Sequence, residues 1–533
     1  MGKLKQKPYH CGQTGANAIQ WHRVVSDRIS QGSIHWNTRH IDKEKIVVIW
    51  MWRLFFCCVG LSGLVSKAVM AGQEKISLED CYLDGWQYSL QCSRLAVGEG
   101  DVQVNLAVMV SPALDESGVE PLYLLAGGPG QAASDLAVLL NKFRKINQNR
   151  AIVLVDRRGA GLSRPFSCGI DRDTPNDLDL ISKSLADCYL KQTTFANSLS
   201  SRQTVEDLEL VRKYFGHEKI SLWGGSWGTR TALLYQQWYP DSLSALVLDA
   251  VAPIDTKVFL SASAAEQAIQ ILARDCQSDP GCSRFGDWRE VLDQLLVDWD
   301  DSIGENLPDP STGRFTAHTM SRWALQSMIR AALYSPEASA QLPFAITEAG
   351  LGNYLPLAGI SGLFSDTTTG MSLGLTFSVA CSEELYRISE EEVSSDIAGT
   401  FVGNAFLDFF SRGCEVWPVP ERRYAKPEPR DHPVLLISGE ADPITPPDYA
   451  KENLDYLSNK QHLIVRSGGH INSVRGCIPT LIGEFLEAPE VQLDQACIKD
   501  IHRPPFMIGA YGPELIHRLN SGTTEKSTRG EEP

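Results

Sequence analysis

Residues 221–230 read SLWGGSWGTR, and how this stretch is read decides the fold. Within it, Gly224-Gly225-Ser226-Trp227-Gly228 is a G-x-S-x-G. The preceding apolar run, 220–223, reads as a strand. Residues 230–239 carry helical spacing and are closed by Pro240. A serine between a strand and a helix lies on a sharp, strained turn that pushes its hydroxyl into the open. Glycines around it let the backbone fold tightly, and the helix N-terminus behind it favours developing negative charge.

Outward from this turn, short β-type runs alternate with helical patterns. Residues 103–110, 122–126, 151–156, 220–223 and 245–249 read as strands. Several are almost continuously apolar, as in a sheet covered on both faces. Residues 204–215 (TVEDLELVRKYF) have helical spacing and end at Gly216, a C-cap signal. The alternation predicts an α/β fold, a doubly wound and mostly parallel sheet. Past Pro253 the pattern becomes helical, with segments at 264–274, 288–300 and 320–334, before strands return at 433–438 and 462–465. The expected organisation is a leader at 1–71 outside the mature fold and a first core segment at 72–254. A helical insertion follows at 255–425, then a second core segment at 426–500 and a tail at 501–533.

A lone G-x-S-x-G is a weak signal, and the chain supplies its own control: Gly370-Met371-Ser372-Leu373-Gly374 matches too. It follows TTT rather than a strand, so Ser372 is read as the accidental match. A nucleophilic serine also needs a base, and the base an orienting acid. His470 ends VRSGGH (465–470), after a strand and two glycines. Asp442 follows the strand in LLISGEAD (435–442). The order Ser226, Asp442, His470 is that of α/β-hydrolases. Taken singly, an Asp-Pro turn and a loop histidine are unremarkable; the shared order and strand-end placement give them meaning. For the oxyanion hole, LLAGGPG (124–130) follows a strand directly. The backbone of Gly128 and that of Trp227, just after the nucleophile, are the candidate donors. Neither a metal nor an organic cofactor is required by this chemistry.

The 533 residues are 43 % hydrophobic and 21 % charged, ordinary for a globular chain and unlike low-complexity, collagen or coiled-coil sequence. Residues 1–71 hold ten Lys/Arg against three Asp/Glu, while the other 462 hold 39 against 62. So acidic a body repels a phosphate backbone, which argues against nucleic acid as a partner. Met51-Trp52-Arg53, the apolar 54–65 and Val69-Met70-Ala71 resemble the n-region, h-region and cleavage site of a signal peptide starting at Met51. An uncleaved anchor is the alternative, and would be the chain's membrane contact. Outside the leader's Cys11, Cys57 and Cys58 remain Cys81, Cys92, Cys168, Cys188, Cys276, Cys282, Cys381, Cys414, Cys477 and Cys497. They form five local couples without CxxC or zinc-type spacing, so disulfides in a periplasm or outside the cell are expected, with connectivity open.

GGPG (127–130), DRRGAGLS (156–163), GGSWG (224–228), ADPITP (441–446) and GGH (468–470) together resemble the proline iminopeptidase and tripeptidyl aminopeptidase group of α/β-hydrolases, over roughly residues 80–500. The stretch from PVLLISGEAD to Cys497 is similar to the TAP-like C-terminal region of secreted members. The resemblance implies cleavage of peptides near a free N-terminus beneath a helical cap. Two positions depart from the pattern: Ala126 stands where members often have His, and Arg157 where Gln is common. The DRRG string is read as a structural brace. A free α-amino group is largely cationic at neutral pH and calls for an anionic anchor. By similarity to a Cys-x-Glu of secreted relatives, Glu383 is the first candidate and Glu384 the second.

The expected function is therefore a secreted serine aminopeptidase acting on peptides. A carboxylesterase or lipase acting on small esters is the alternative on the same triad. A non-catalytic hydrolase-fold binding protein comes third, since no triad member is missing. Ser at position 226 disfavours an Asp-nucleophile dehalogenase or epoxide hydrolase.

Overall fold

The computed structural model describes residues 77–115, 118–170, 178–300, 307–308, 313–315, 320–363 and 370–513. The expected leader and signal peptide, with Cys11, Cys57 and Cys58, lie outside them, as does most of the expected tail. The strands are β1 Glu79–Cys81, β2 Leu90–Val97, β3 Val104–Ser111, β4 Leu122–Leu125, β5 Ile152–Val155, β6 Ile220–Gly225, β7 Leu243–Asp249, β8 Val434–Gly439 and β9 Lys460–Val465. They form one sheet in the order β1-β2-β3-β5-β4-β6-β7-β8-β9. The first three and the β3–β5 pair are antiparallel. From β5 to β9 every neighbouring pair is parallel.

The apolar runs of the central strands follow from double cover. Leu222, Leu246, Leu248, Val434 and Leu436 pack into one core layer. Their alternates Trp223, Val247, Leu435 and Ile437 pack into the layer on the other face. Each such side chain, fully buried, contributes about 1.5–3 kcal/mol. The helix Ser201–Tyr214 (α1) begins at Ser200, whose side chain caps Gln203 N, and runs into Gly216 at φ 70°. The helix Trp227–Trp238 (α2) starts directly after Ser226.

Between β7 and β8 the regular elements described are helical. Among them are α3 Ala262–Ser278, α4 Trp288–Asp298, α5 Arg322–Ala332, α6 Leu342–Gly350, α7 Leu373–Glu383 and α8 Ala405–Glu415. Several close over a core of their own built from Ile269, Leu272, Trp288, Leu292, Leu325, Ile329 and Ile346. Five disulfides join neighbouring cysteines: Cys81–Cys92, Cys168–Cys188, Cys276–Cys282, Cys381–Cys414 and Cys477–Cys497. The fourth ties α7 to α8. Such a crosslink typically contributes about 2–4 kcal/mol by restricting the unfolded chain.

Candidate active site

Sheet register brings the site together. Gly225 of β6 is level with Asp249 of β7, and Asp249 with Ile437 of β8. Gly439 of β8 is level with Val465 of β9. The chain leaves these four strands at one edge, and Ser226, Asp442 and His470 stand in the turns immediately beyond.

Ser226 has φ 55° and ψ −123°, a conformation that L side chains adopt at a cost of order 1–3 kcal/mol and that recurs at functional turns. The turn closes because residue 228 is glycine: a Cβ there would collide with the Leu125 carbonyl at the end of β4. The Ser226 amide donates to the Asp249 carbonyl at 2.9 Å. Its hydroxyl makes no hydrogen bond among the described residues. The hydroxyl–imidazole hydrogen bond is thus not closed in this geometry; such catalytic bonds tighten in the complex with substrate.

Asp442 is buried and saturated. Oδ1 accepts from the amides of Ile444 (2.9 Å) and Thr445 (3.0 Å), and Oδ2 from the Thr445 hydroxyl (2.9 Å). His470 Nδ1 lies 3.0 and 2.9 Å from the two oxygens. Burial alone would raise this carboxyl. The imidazole and the amide donors outweigh it and hold Asp442 below the ordinary carboxylate value. That geometry leaves Nε2 of His470 as the ring nitrogen free to act on a neighbour. The ring packs edge-on against Tyr334 at 5.0 Å, and the His470 amide donates to the Tyr334 carbonyl at 2.8 Å, so the helical block fixes the imidazole directly.

The candidate oxyanion loop turns sharply at Gly128. Gly128 has φ 106°, where a Cβ would run into the Gly130 and Gln131 amides. Its own N–H makes no hydrogen bond among the described residues. The Trp227 N–H is the first of a helix and has no intrahelical acceptor. Arg157, buried, donates to the carbonyls of Ala126 and Gly127. Burial pulls its guanidinium down to about 10, still protonated at neutral pH. Arg158 forms a two-pronged pair with Asp207 at 2.6 and 2.7 Å, and Asp156 accepts from Ser134 and Leu162. Ser372 is buried, with an unstrained φ of −76°; its amide donates to the Gly130 carbonyl, so the second G-x-S-x-G steadies the oxyanion loop.

Glu383 and Glu384, the expected amine anchors, are both engaged by donors of the protein itself. Glu383 accepts from the Ser201 amide (2.6 Å), the Ser201 hydroxyl (2.7 Å) and the Tyr424 hydroxyl (2.7 Å). Glu384 accepts from Arg230 Nη1 (2.6 Å) and the Phe259 amide (2.7 Å), with both side chains of the ion pair almost wholly buried. Turning Glu384 to a substrate amine would strand Arg230, and breaking a buried pair costs about 3–5 kcal/mol. A new hydrogen bond to a charged group returns only about 1.5–3 kcal/mol. The two carboxylates instead pin α7 to the start of α1 and to α2. The spacing of the motif carries no information on these distant donors, which is why the reading missed them.

Asp249 is the residue that the sequence left unnoticed. It closes an apolar strand (ALVLD), and that charged terminus was the available signal. Its carboxylate accepts from the Asn472 amide (3.0 and 2.8 Å) and the Ser473 amide (2.6 Å), while its carbonyl holds Ser226. One residue therefore ties the histidine loop to the nucleophile turn. Burial pushes this carboxyl up to about 6. Asp249→Asn replaces an acceptor with an amide facing two N–H donors, and a shift of about 1 Å at the base can cost about 100-fold. The expected result is a kcat 10- to 100-fold lower with KM little changed (order of magnitude). Because the folded carboxyl titrates above its unfolded value, its stabilising contribution is greatest below the ordinary 3.8 and is lost as pH rises through about 6. The Tm of the variant relative to wild type should therefore rise between pH 4 and 7; a constant difference would contradict the assignment.

Among the described residues no helix is long and apolar enough to cross a membrane, and no group of three or more His, Cys, Asp or Glu could hold a metal ion.

Residues 120–281 match the family model described as alpha/beta hydrolase fold, and residues 399–497 the one described as TAP-like protein. The curated Serine protease Hip1 of Mycobacterium tuberculosis (strain ATCC 25618 / H37Rv) is 24 % identical over 411 residues, 67 % of this chain and 76 % of that protein. A proline iminopeptidase of Neisseria meningitidis serogroup B is 33 % identical over 131 residues, 24 % of this chain and 31 % of that protein. Among solved structures, a proline iminopeptidase of Mycobacterium smegmatis aligns with a TM-score of 0.36 at 16 % identity, covering 75 % of this chain and 99 % of that one.

Proposed function

We propose that this chain, an enzyme of the α/β-hydrolase fold with a TAP-like C-terminal region, is a serine exopeptidase that cleaves peptides near a free N-terminus. The observation that carries the reading is the buried Asp442–His470 hydrogen bond at the strand edge from which the strained Ser226 projects. The relatives named serine protease and proline iminopeptidase support a peptidase over an esterase.

In the proposed reaction His470 Nε2 takes the Ser226 proton as Oγ attacks the scissile carbonyl carbon. The oxyanion is received by the Gly128 and Trp227 amides. As the tetrahedral species collapses, the C–N bond breaks and the amine leaves with the proton from His470. Water, deprotonated by His470, then attacks the acyl-enzyme ester and frees Ser226. Asp442 holds the imidazole in the tautomer that leaves Nε2 as acceptor and stabilises the imidazolium. The helical block of 255–425 serves as a cap whose depth limits the reach of the substrate's N-terminal side. The five disulfides support work outside the cytoplasm, following export through the N-terminal leader.

A panel of peptidyl arylamides with free and acetylated N-termini tests the reading. Prolyl and tripeptidyl substrates with free amines should turn over, and acetylation should lower kcat/KM at least tenfold, the size of a lost hydrogen bond to a charged group (about 1.5 kcal/mol or more). Inert arylamides beside rapidly cleaved aryl esters would assign the site to an esterase.

A further inference from the structure

A cavity of about 350 Å³ opens where the helical block meets α2, with Arg230, Asp255, Glu383, Arg387, Arg422 and Arg423 in its lining. Its size lies within the range of small-ligand sites. Its charge runs against that of the molecule. In a chain of formal net charge −16, four arginines converge on one hollow, against two carboxylates. One of these, Glu383, accepts three hydrogen bonds from Ser201 and Tyr424.

The arginines are not equally engaged. Arg230 is held by Glu384 and by the carbonyls of Pro253 and Thr256. Arg422 gives Nη2 to the Asn197 carbonyl at 2.6 Å. Arg423 is exposed, 5.6 Å over the Tyr386 ring and 3.6 Å from Glu421. Arg387 makes no side-chain hydrogen bond or ion pair among the described residues, and its Nε is buried without an acceptor, as is that of Arg422. A half-buried guanidinium without a partner is costly, and it recovers that cost when a planar anion presents two oxygens to it.

We infer that this cavity binds a carboxylate, and that in the enzyme it takes an acidic side chain of a peptide substrate. The second clause rests on the peptidase reading. Position supports it: Arg230 stands four residues along the helix from Ser226, about 6 Å of axial rise. Two or three extended peptide residues span about 7–11 Å, longer than that rise.

Calorimetric titration of the full chain carrying Ser226→Ala with tri-glutamate and tri-glutamine reads binding without turnover. Tri-glutamate should bind at least tenfold more tightly, and Arg387→Gln should remove that preference while neutral arylamides turn over within twofold of wild type. Arg423→Gln, at an exposed position, provides a second variant and should weaken tri-glutamate binding about threefold. Equal binding of the two peptides, or an unchanged preference in Arg387→Gln, would overturn the inference. Inorganic phosphate competing as strongly as tri-glutamate would also overturn it, since the hollow would then be a general anion site. Tri-glutamate binding that depends on Arg387 in a protein inert toward every arylamide would retain the carboxylate site and remove the peptidase reading alone.

Discussion

Ser226→Ala is expected to lower kcat by about 10⁴- to 10⁶-fold with the fold intact, the scale seen when a nucleophile acting within a triad is lost. The separation of activity from stability follows from the local geometry. The Ser226 hydroxyl has no hydrogen bond among the described residues, so its removal leaves no buried partner unsatisfied. Alanine meets the same positive φ as serine, so the strain of the turn is unchanged. The amide bond to Asp249 and the glycines at 224 and 228 remain. The Tm should therefore stay within about 2 °C of wild type or rise slightly, as when a strained functional group is removed. A melting curve and a steady-state assay on the same preparation check this. A large fall in Tm would mean that the serine holds the turn together, and retained activity that the reaction proceeds elsewhere.

Asp442→Asn is expected to lower kcat about 10⁴-fold, through the wrong tautomer rather than a broken loop. The carboxylate accepts from four donors: the amides of Ile444 and Thr445, the Thr445 hydroxyl and His470 Nδ1. Asparagine keeps one oxygen for the two amides. Its NH₂ then faces Nδ1, so Nδ1 must accept, the proton moves to Nε2, and the nitrogen facing the serine can no longer act as base. Stability gives an independent readout. Asp442 is held below its ordinary 3.8, so its contribution to folding is complete above that pH and is lost as pH falls through the lowered value. The Tm deficit of the variant should therefore narrow at acid pH. A deficit that is flat with pH would contradict the role of Asp442 as an ionised partner.

The features legible in the sequence were those set by local order. Apolar runs marked the buried parallel strands because both of their faces are covered. The glycines at 127, 128, 224 and 228 marked the turns because no side chain fits there. Asp442 and His470 could be found because each follows its own strand by a few residues. The strand Leu90–Val97 was missed: it lies toward the antiparallel side of the sheet, and its mixed burial gives neither a continuous apolar run nor a clean alternation. The roles of Glu383, Glu384 and Asp249 were invisible for a different reason. Their partners Ser201, Arg230, Phe259, Asn472 and Ser473 lie 125 to 224 residues away, and only the folded chain brings them within hydrogen-bond range. The same holds for the arginines at 230, 387 and 422–423, which come from three separate segments of the chain.

The most direct test is to label the protein with a fluorophosphonate and map the modified residue by peptide mass spectrometry. The account predicts one adduct, on Ser226, absent from Ser226→Ala and strongly slowed in Asp442→Asn. An adduct on Ser372, or equal labelling of wild type and Ser226→Ala, would contradict it.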